Sequence, residues 1–415
     1  VTYIKAFFPV FILGAIFGKV MEETGLARSI ARAIINGLGK EPLKAVISVV
    51  IAASVLTYGG VSLFVVVFAV YPFAAALFKE ANYPKRFVAP VIALGAFTAT
   101  MDCLPGTPQI QNIIPTTYFG TNLYAAPLAG IIGAIIIYGG GIFYLTHRLR
   151  HAVANGEGYG NHKINEPEHN EDMTYVNWKL AVIPLLAVLI INFVITECVV
   201  WDPDILTPFQ QMKGVPLVAA KLKNVVSIWA LIISLVVGIV LALIVGKREI
   251  KSVDRLTKIL NAGAIGSLLA IMNTASEVGY GNVISQLPGF ADVAHFLINI
   301  HIGGTPLVSE AISVTVLAGI TGSASGGMSI ALELMSQDWL TWAQSIGMGP
   351  EILHRVASMA SGGLDTLPHN GAVITLLAVC GLSHRESYKD IFAITLMKTF
   401  AVFVIILIYS VTGLH

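Results

Sequence analysis

Apolar runs long enough to cross a bilayer recur along the whole chain, near residues 3–20, 86–120, 124–146, 178–200, 224–246, 259–276, 351–382 and 390–412. A run of about 17–25 such residues crosses a ~30 Å hydrocarbon core as a helix, and lipid offers the backbone no hydrogen-bond partners. A chain patterned this way folds as a helix bundle and not as a barrel. Composition agrees: 55% of the 415 residues are hydrophobic and 12% charged, and the mean hydropathy is +0.78, outside the range of soluble domains. The formal net charge is +1, and the basic residues stand in short clusters between apolar runs, which speaks of membrane topology and against nucleic acid. Cys103, Cys198 and Cys380 lie far apart without metal-ligand spacing, so they read as packing residues, and neither metal nor cofactor is expected. Val1 already lies in an apolar run, so the chain is expected to lack its natural start.

Two stretches differ from plain spans. Residues 43–79 join two apolar arms at "TYGGVS", and residues 306–343 repeat the design around "TGSASGGMS". An arm such as residues 43–56 rises only ~21 Å as a helix, short of the bilayer core, so each stretch predicts a re-entrant hairpin.

Three signatures recur in the same order in both halves: "ETG" at 23–25 with "EVG" at 277–279, "GGVS" at 59–62 with "GGMS" at 326–329, and "DCLP" at 102–105 with "DTLP" at 365–368. We read repeat one as residues 1–146 and repeat two as 257–415, with a polar cytoplasmic linker at 147–177 and two connecting helices within 178–256. Each repeat makes three crossings: a first helix, an interrupted helix (about 86–120 and 351–382) and a last helix. Three crossings plus two is odd, so the copies are inverted. The basic clusters agree, since Arg28, Arg32, Lys40, Lys44, Lys79, Lys85, Arg86, Arg148, Lys247, Arg248, Arg385 and Lys389 all fall on one side, the cytoplasmic one. Residues 277–305 hold no Lys or Arg; Lys213, Lys221 and Lys223 are the exception. The fold class is therefore an all-α polytopic membrane protein of two inverted-topology repeats, each with a re-entrant hairpin and an interrupted transmembrane helix.

Pro105, Pro108 and Pro368 with Gly371 break their helices. Half-helix amino ends at the breaks and hairpin tips carry unpaired N–H groups that favour an anion, so a carboxylate could bind without any buried arginine. Paired breaks and hairpins in inverted copies are the arrangement in which transporters place substrate near the midplane. Asp102 and Asp365 are the intramembrane acids expected to handle a proton or cation, with His369 and Glu310 beside them. Gly59, Gly60, Ser62, Gly326, Gly327 and Ser329 are expected at the hairpin tips, and Thr107, Gln109, His369 and Asn370 at the breaks, as substrate-binding groups. Gln111, Asn112 and Thr375 add amides and a hydroxyl suited to a hydroxylated anion. Glu23 and Glu277 read as interfacial.

The segments "HRVASMASGGLDTLPHNGAVITLLAVCGLSHRESYKDIF", "GKVMEETGLARSIARAI" and "FTATMDCLPGTPQIQNIIP" resemble the gluconate permease (GntP) family, and the likeness covers nearly the whole chain. The resemblance implies proton-driven transport of small organic anions across the bacterial inner membrane by a multi-pass protein, often a homodimer. The first break, "LPGTPQI", departs from the "LPPHPGP" of gluconate-transporting members. The second, with its histidine, is more similar to members for short hydroxy acids such as 3-hydroxybutyrate.

The reading is a proton-coupled, or alternatively sodium-coupled, carboxylate transporter or ion/proton antiporter. A second class, an intramembrane aspartyl-type enzyme, would use two carboxylates sharing a proton; the matched Asp-x-Leu-Pro motifs argue against it. A channel is a third.

Overall fold

Residues that start and stop helices set the element ends. The computed structural model describes residues 2–39, 41–61, 63–166, 176–202, 204–210, 222, 225–250, 252–284, 296, 300 and 302–414, and every regular element among them is helical. Helices α1 (Thr2–Glu23) and α2 (Leu26–Leu38) meet at Gly25, whose φ of 71° suits glycine. A hairpin of α3 (Pro42–Tyr58) and α4 (Leu63–Glu80) follows, its arms packed together. Helix α5 (Val88–Ala96), a single turn at Ala99–Asp102 and α6 (Ile110–Phe119) form a broken helix, and α7 (Pro127–Ala154) completes the first half. Helices α8 (Ile183–Phe193) and α9 (Val226–Val245) connect to the second half.

There the order recurs: α10 (Val253–Ile284), a hairpin of α11 (Leu307–Thr321) and α12 (Ala324–Ser345), a broken helix of α13 (Pro350–Ser361) and α14 (Gly371–Cys380), and α15 (His384–Thr412). Pro42, Pro127 and Pro350 open α3, α7 and α13 near the first helical position, where a missing N–H is no loss. Ser383 and Glu386 cap α15 reciprocally.

Ile4–Glu23, Pro127–Ala154, Trp178–Cys198, Val226–Val245 and His384–Thr412 are each long and apolar enough to cross a membrane. The incoming hairpin arms, α3 and α11, have 17 and 15 residues, about 25 and 22 Å of helix. The outgoing arm α12 has 22 residues, about 33 Å, longer than a short arm requires; its distal half carries Glu333, Gln337 and Asp338.

Packing follows an exchange between the halves. Hairpin arm α3 packs on α5 and α11 on α13, within their own halves, while α4 packs on α14 and α12 on α6, across them. Helices α1 and α10 run antiparallel: Glu23 meets Arg255 at 3.6 Å, and Gly263 sits against the backbone of Ala15 and Ile16. Glu23 is thus paired, with Lys19 as well as Arg255.

Of the segment expected as a polar linker, residues 147–166 are tied to the helices. Residues 147–154 continue α7. Beyond it, Glu157 takes two hydrogen bonds from Arg86, at 2.6 and 2.9 Å, which hold its carboxyl below the usual carboxylate range. Asn165 accepts from Tyr71 on α4 through its carbonyl and donates from its side chain to Ala378 on α14, and Lys85 donates to Glu166 at 2.8 Å. Polar composition reads as a loop because it lacks an apolar period; these side chains instead find partners across the two halves.

Candidate functional site

The first break begins where α5 runs out of backbone partners. Thr98 and Thr100 donate to the carbonyls of Leu94 and Gly95, and Pro105 and Pro108 prevent resumption until Ile110. Helix α13 then supplies Arg355, wholly buried, whose guanidinium donates to the carbonyls of Ala125 (2.8 and 3.1 Å) and Asp102 (3.2 Å) and to Asn112 Oδ1 (3.0 Å). Asn112 donates in turn to the carbonyls of Thr107 and Leu123. With Asn112 Oδ1 acting as acceptor, the His354 ring carries its proton on Nε2, 3.1 Å away, and takes a hydrogen bond on Nδ1 from Thr121 at 2.6 Å. Ser358 adds a bond to the Asp102 carbonyl. A buried arginine therefore does exist, but five N–H donors in a fixed fork suit orphaned carbonyls as well as they suit an anion, and here they brace the break.

The second break, residues 362–370, is held differently. Lys398 on α15, 1% exposed, donates to Asp365 at 2.7 Å and to the Phe97 carbonyl at 3.0 Å, so one ammonium joins both breaks. Thr366 pairs with Thr395 and accepts from Tyr388 at its carbonyl. His369 Nε2 lies 3.0 Å from the Gly319 carbonyl. Gly362 is required, since a Cβ there would fall 2.0 Å from Asp102 Oδ2.

Side-chain amides tie each break to its own hairpin. Gln109, just before α6, donates to the carbonyls of Thr57 (2.6 Å) and Val61 (3.3 Å). Asn370, just before α14, donates to Gly322 (2.6 Å) while its Oδ1 caps Ala372 and Val373.

Between these parts lies a cavity of about 520 Å³, walled by α1, α10, both hairpin turns and both breaks. The first turns of α4 (Leu63), α6 (Ile110, Gln111), α12 (Ala324, Ser325) and α14 (Gly371, Ala372) open onto it. No Lys or Arg lines it among the described residues. Gln111 Oε1 is buried there and finds no partner among the described residues. Helix amino ends present N–H groups and partial positive charge, so this wall suits an anion that also carries a hydrogen-bond donor.

Of the binding and coupling residues singled out from sequence, Gly60, Gln109, Gln111, Asp365, His369 and Asn370 line the cavity. Gly59 ends α3 behind it, and Ser62, like the side chain of Glu277, lies outside the described residues. Asp102 does not line it; its carboxylate takes the Cys103 thiol at 3.0 Å and packs on Gly362. Thr107 is fully buried and spends its hydroxyl on the Thr100 carbonyl. Glu310 is also behind the wall, fully buried, with no partner for either oxygen among the described residues.

The second hairpin's turn is not at Gly326, Gly327 and Ser329. It falls at Gly322, φ 65°, and Ser323, whose hydroxyl caps Gly326. The three residues are buried inside α12, where Gly327 lets α12 approach the α11 backbone at Ala318. "GGMS" matches "GGVS" by letters, yet a left-handed residue followed by an N-cap serine is the stronger turn signal.

Sequence reasoning missed Lys398, Arg355 and Thr366. Lys398 had a legible signal, a single cation in the long apolar run of α15; Arg355 was hidden in a polar half-helix.

The sequence matches the GntP permease family over residues 6–412. It is 50% identical over 421 aligned residues, 99% of this chain and 88% of the relative, to the uncharacterized transporter YxjC of Bacillus subtilis (strain 168). Its fold is similar to the solved YdaH transporter of Alcanivorax borkumensis, a protein of unusual topology, with a TM-score of 0.57 at 11% identity over 99% of this chain and 87% of that one. The chain is a multi-pass membrane protein and belongs to the GntP family of permeases.

Proposed function

We propose that this permease is a proton-coupled symporter of a small organic hydroxycarboxylate in the bacterial plasma membrane, working by alternating access between two inverted halves. The observation that carries the reading is the cavity onto which four helix amino ends open, with no lysine or arginine in its described wall. N–H groups there hold the carboxylate. The polar side chains in the same wall, Gln109, Gln111, His369 and Asn370, favour a substrate that brings a hydroxyl. The antiparallel α1 and α10, and the exchanged packing of hairpins and half-helices, support two halves of opposite orientation.

The engagement of Asp365 by Lys398 and of Asp102 by Cys103 speaks against a shared-proton pair of the aspartyl-enzyme kind. The test is uptake into proteoliposomes across a panel of hydroxy acids and their deoxy analogues, with pH and sodium gradients imposed separately. Saturable accumulation of a hydroxy acid driven by an inward proton gradient is expected. Accumulation driven by sodium alone, or equal uptake of the deoxy analogues, would contradict it.

A further inference from the structure

Two buried cations stand near the breaks, and they are placed in different company. Arg355 is spread over backbone carbonyls and Asn112. Lys398 has one carboxylate and one carbonyl, and both of those residues, Asp365 and Phe97, line the cavity while Lys398 itself stands directly behind them. Its ammonium is thus matched by a single acid that the cavity can reach.

We propose that Lys398 couples cation to anion: the ion pair with Asp365 opens when a proton adds to Asp365, and the freed ammonium charge is then balanced by the substrate carboxylate in the cavity. The inference rests on the anion-transport reading above and deepens it. The bookkeeping of charge is simple. With the cavity empty, Lys398 and Asp365 neutralise one another. A proton alone leaves one uncompensated positive charge in the membrane interior, and an anion alone leaves one negative charge. Both together restore neutrality, and a buried unpaired ion is strongly disfavoured. Proton and carboxylate therefore load together or not at all. Lys398 keeps its three protons and its bond to the Phe97 carbonyl throughout; the proton arrives from the cavity at an Asp365 oxygen and leaves by the same route on the other side.

The surroundings are consistent with this division. Asp102 from the first break is near enough to act electrostatically on both members of the pair, and Arg355 from α13 acts on Asp102. Helix α7 brings the Tyr138 hydroxyl, bonded to Ser54, and α5 brings no titratable side chain. Glu310 on α11 has no charged partner among the described residues. Asp365 already holds an ammonium, so within this proposal the coupling ion is the proton.

The test compares the wild type, Lys398→Met and the charge-balanced double variant Lys398→Met/Asp365→Asn. Each is reconstituted and assayed with labelled 3-hydroxybutyrate, or with whichever acid of the panel the wild type takes up. Accumulation under an inward proton gradient is compared with counterflow exchange at equal pH. Lys398→Met is expected to melt at lower temperature and the second substitution to restore the wild-type melting temperature. The double variant should lose gradient-driven accumulation and counterflow exchange alike, each by about tenfold or more, the size of an ordinary coupling free energy, because nothing is left to balance the bound carboxylate, while its restored melting temperature shows that the fold is intact. Wild-type accumulation by the double variant, or sodium-driven accumulation by the wild type, would overturn the role of Lys398. A wild type that moves none of the acids would instead overturn the transport reading and this one with it, and is told apart because no variant is then needed to see it.

Discussion

The two breaks look alike in sequence and behave as opposites in structure. The first keeps its centre closed: Asp102, Thr107 and Asn112 are at most 2% exposed, and its carbonyls are taken up by Arg355, Ser358 and Asn112, two of the three contributed by the other half, so that only its flanks, such as Met101 and Gln109, reach the cavity. The second turns its Asp365, His369 and Asn370 toward the cavity and is held by α15, through Lys398, Thr395 and Tyr388, and by its own hairpin at Gly319 and Gly322. The matched motifs therefore stand in different surroundings. One break became scaffold, its carbonyls braced by the buried donors of Arg355, Ser358 and Asn112. The other retained titratable side chains next to space, where a change of charge can be answered by a ligand.

The strongest way to break this comparison is to replace Arg355. Arg355→Met leaves the carbonyls of Asp102, Leu123 and Ala125 short of donors, and we expect a loss of about 3–5 kcal/mol, seen as a lower melting temperature and poor monodisperse yield in detergent. A stable Arg355→Met protein that fails only in uptake would move the first break from scaffold to transport site. Next in size, Asn370→Ala removes both a helix cap and the tie to Gly322, for about 1–2 kcal/mol. Gln109→Ala loses the tie without the cap geometry, and thermal unfolding should rank it milder.

His369→Ala sharpens the contrast from the other side. It gives up one bond to Gly319 and should melt like the wild type, while uptake kcat/KM drops by roughly tenfold, or about 1.4 kcal/mol. Unchanged uptake would place the substrate elsewhere in the cavity. The smallest effect belongs to Glu157, which with Asn165 and Glu166 straps α14 to the first half. Its carboxyl is held below the usual range by Arg86. The stabilisation is thus present above the ordinary glutamate value near ~4.3 and is lost as pH falls through the lower folded value. Glu157 is 41% exposed, so solvent screening limits the difference between the wild type and Glu157→Gln to about 0.5 kcal/mol at neutral pH. The difference should close below about pH 4; one that persists in acid would show that the strap is held by packing alone.

Much of this architecture was open to reading. Run lengths, prolines and the matched "DCLP" and "DTLP" motifs pointed to helix, hairpin and break, because hydrophobic thickness and the missing proline N–H act locally. Cavity residues that sit beside a break, such as Gln109, His369 and Asn370, were legible for the same reason. Asp102, expected to handle a proton or cation, and Thr107, expected to bind substrate, do not line the cavity, since which way a residue in a break faces depends on what packs over it. The turn of the second hairpin was misplaced by a glycine pair that serves helix contact at Ala318.

By itself the sequence determined that this chain lives in a membrane, that its halves echo one another, and where each helix must fail. Only tertiary structure decided that Lys398 reaches across 33 positions to Asp365, and that Arg355 spends its donors on the first break. Burial makes ionic partners obligatory, but which partner is chosen is a matter of proximity in space, and spacing along the chain does not encode it.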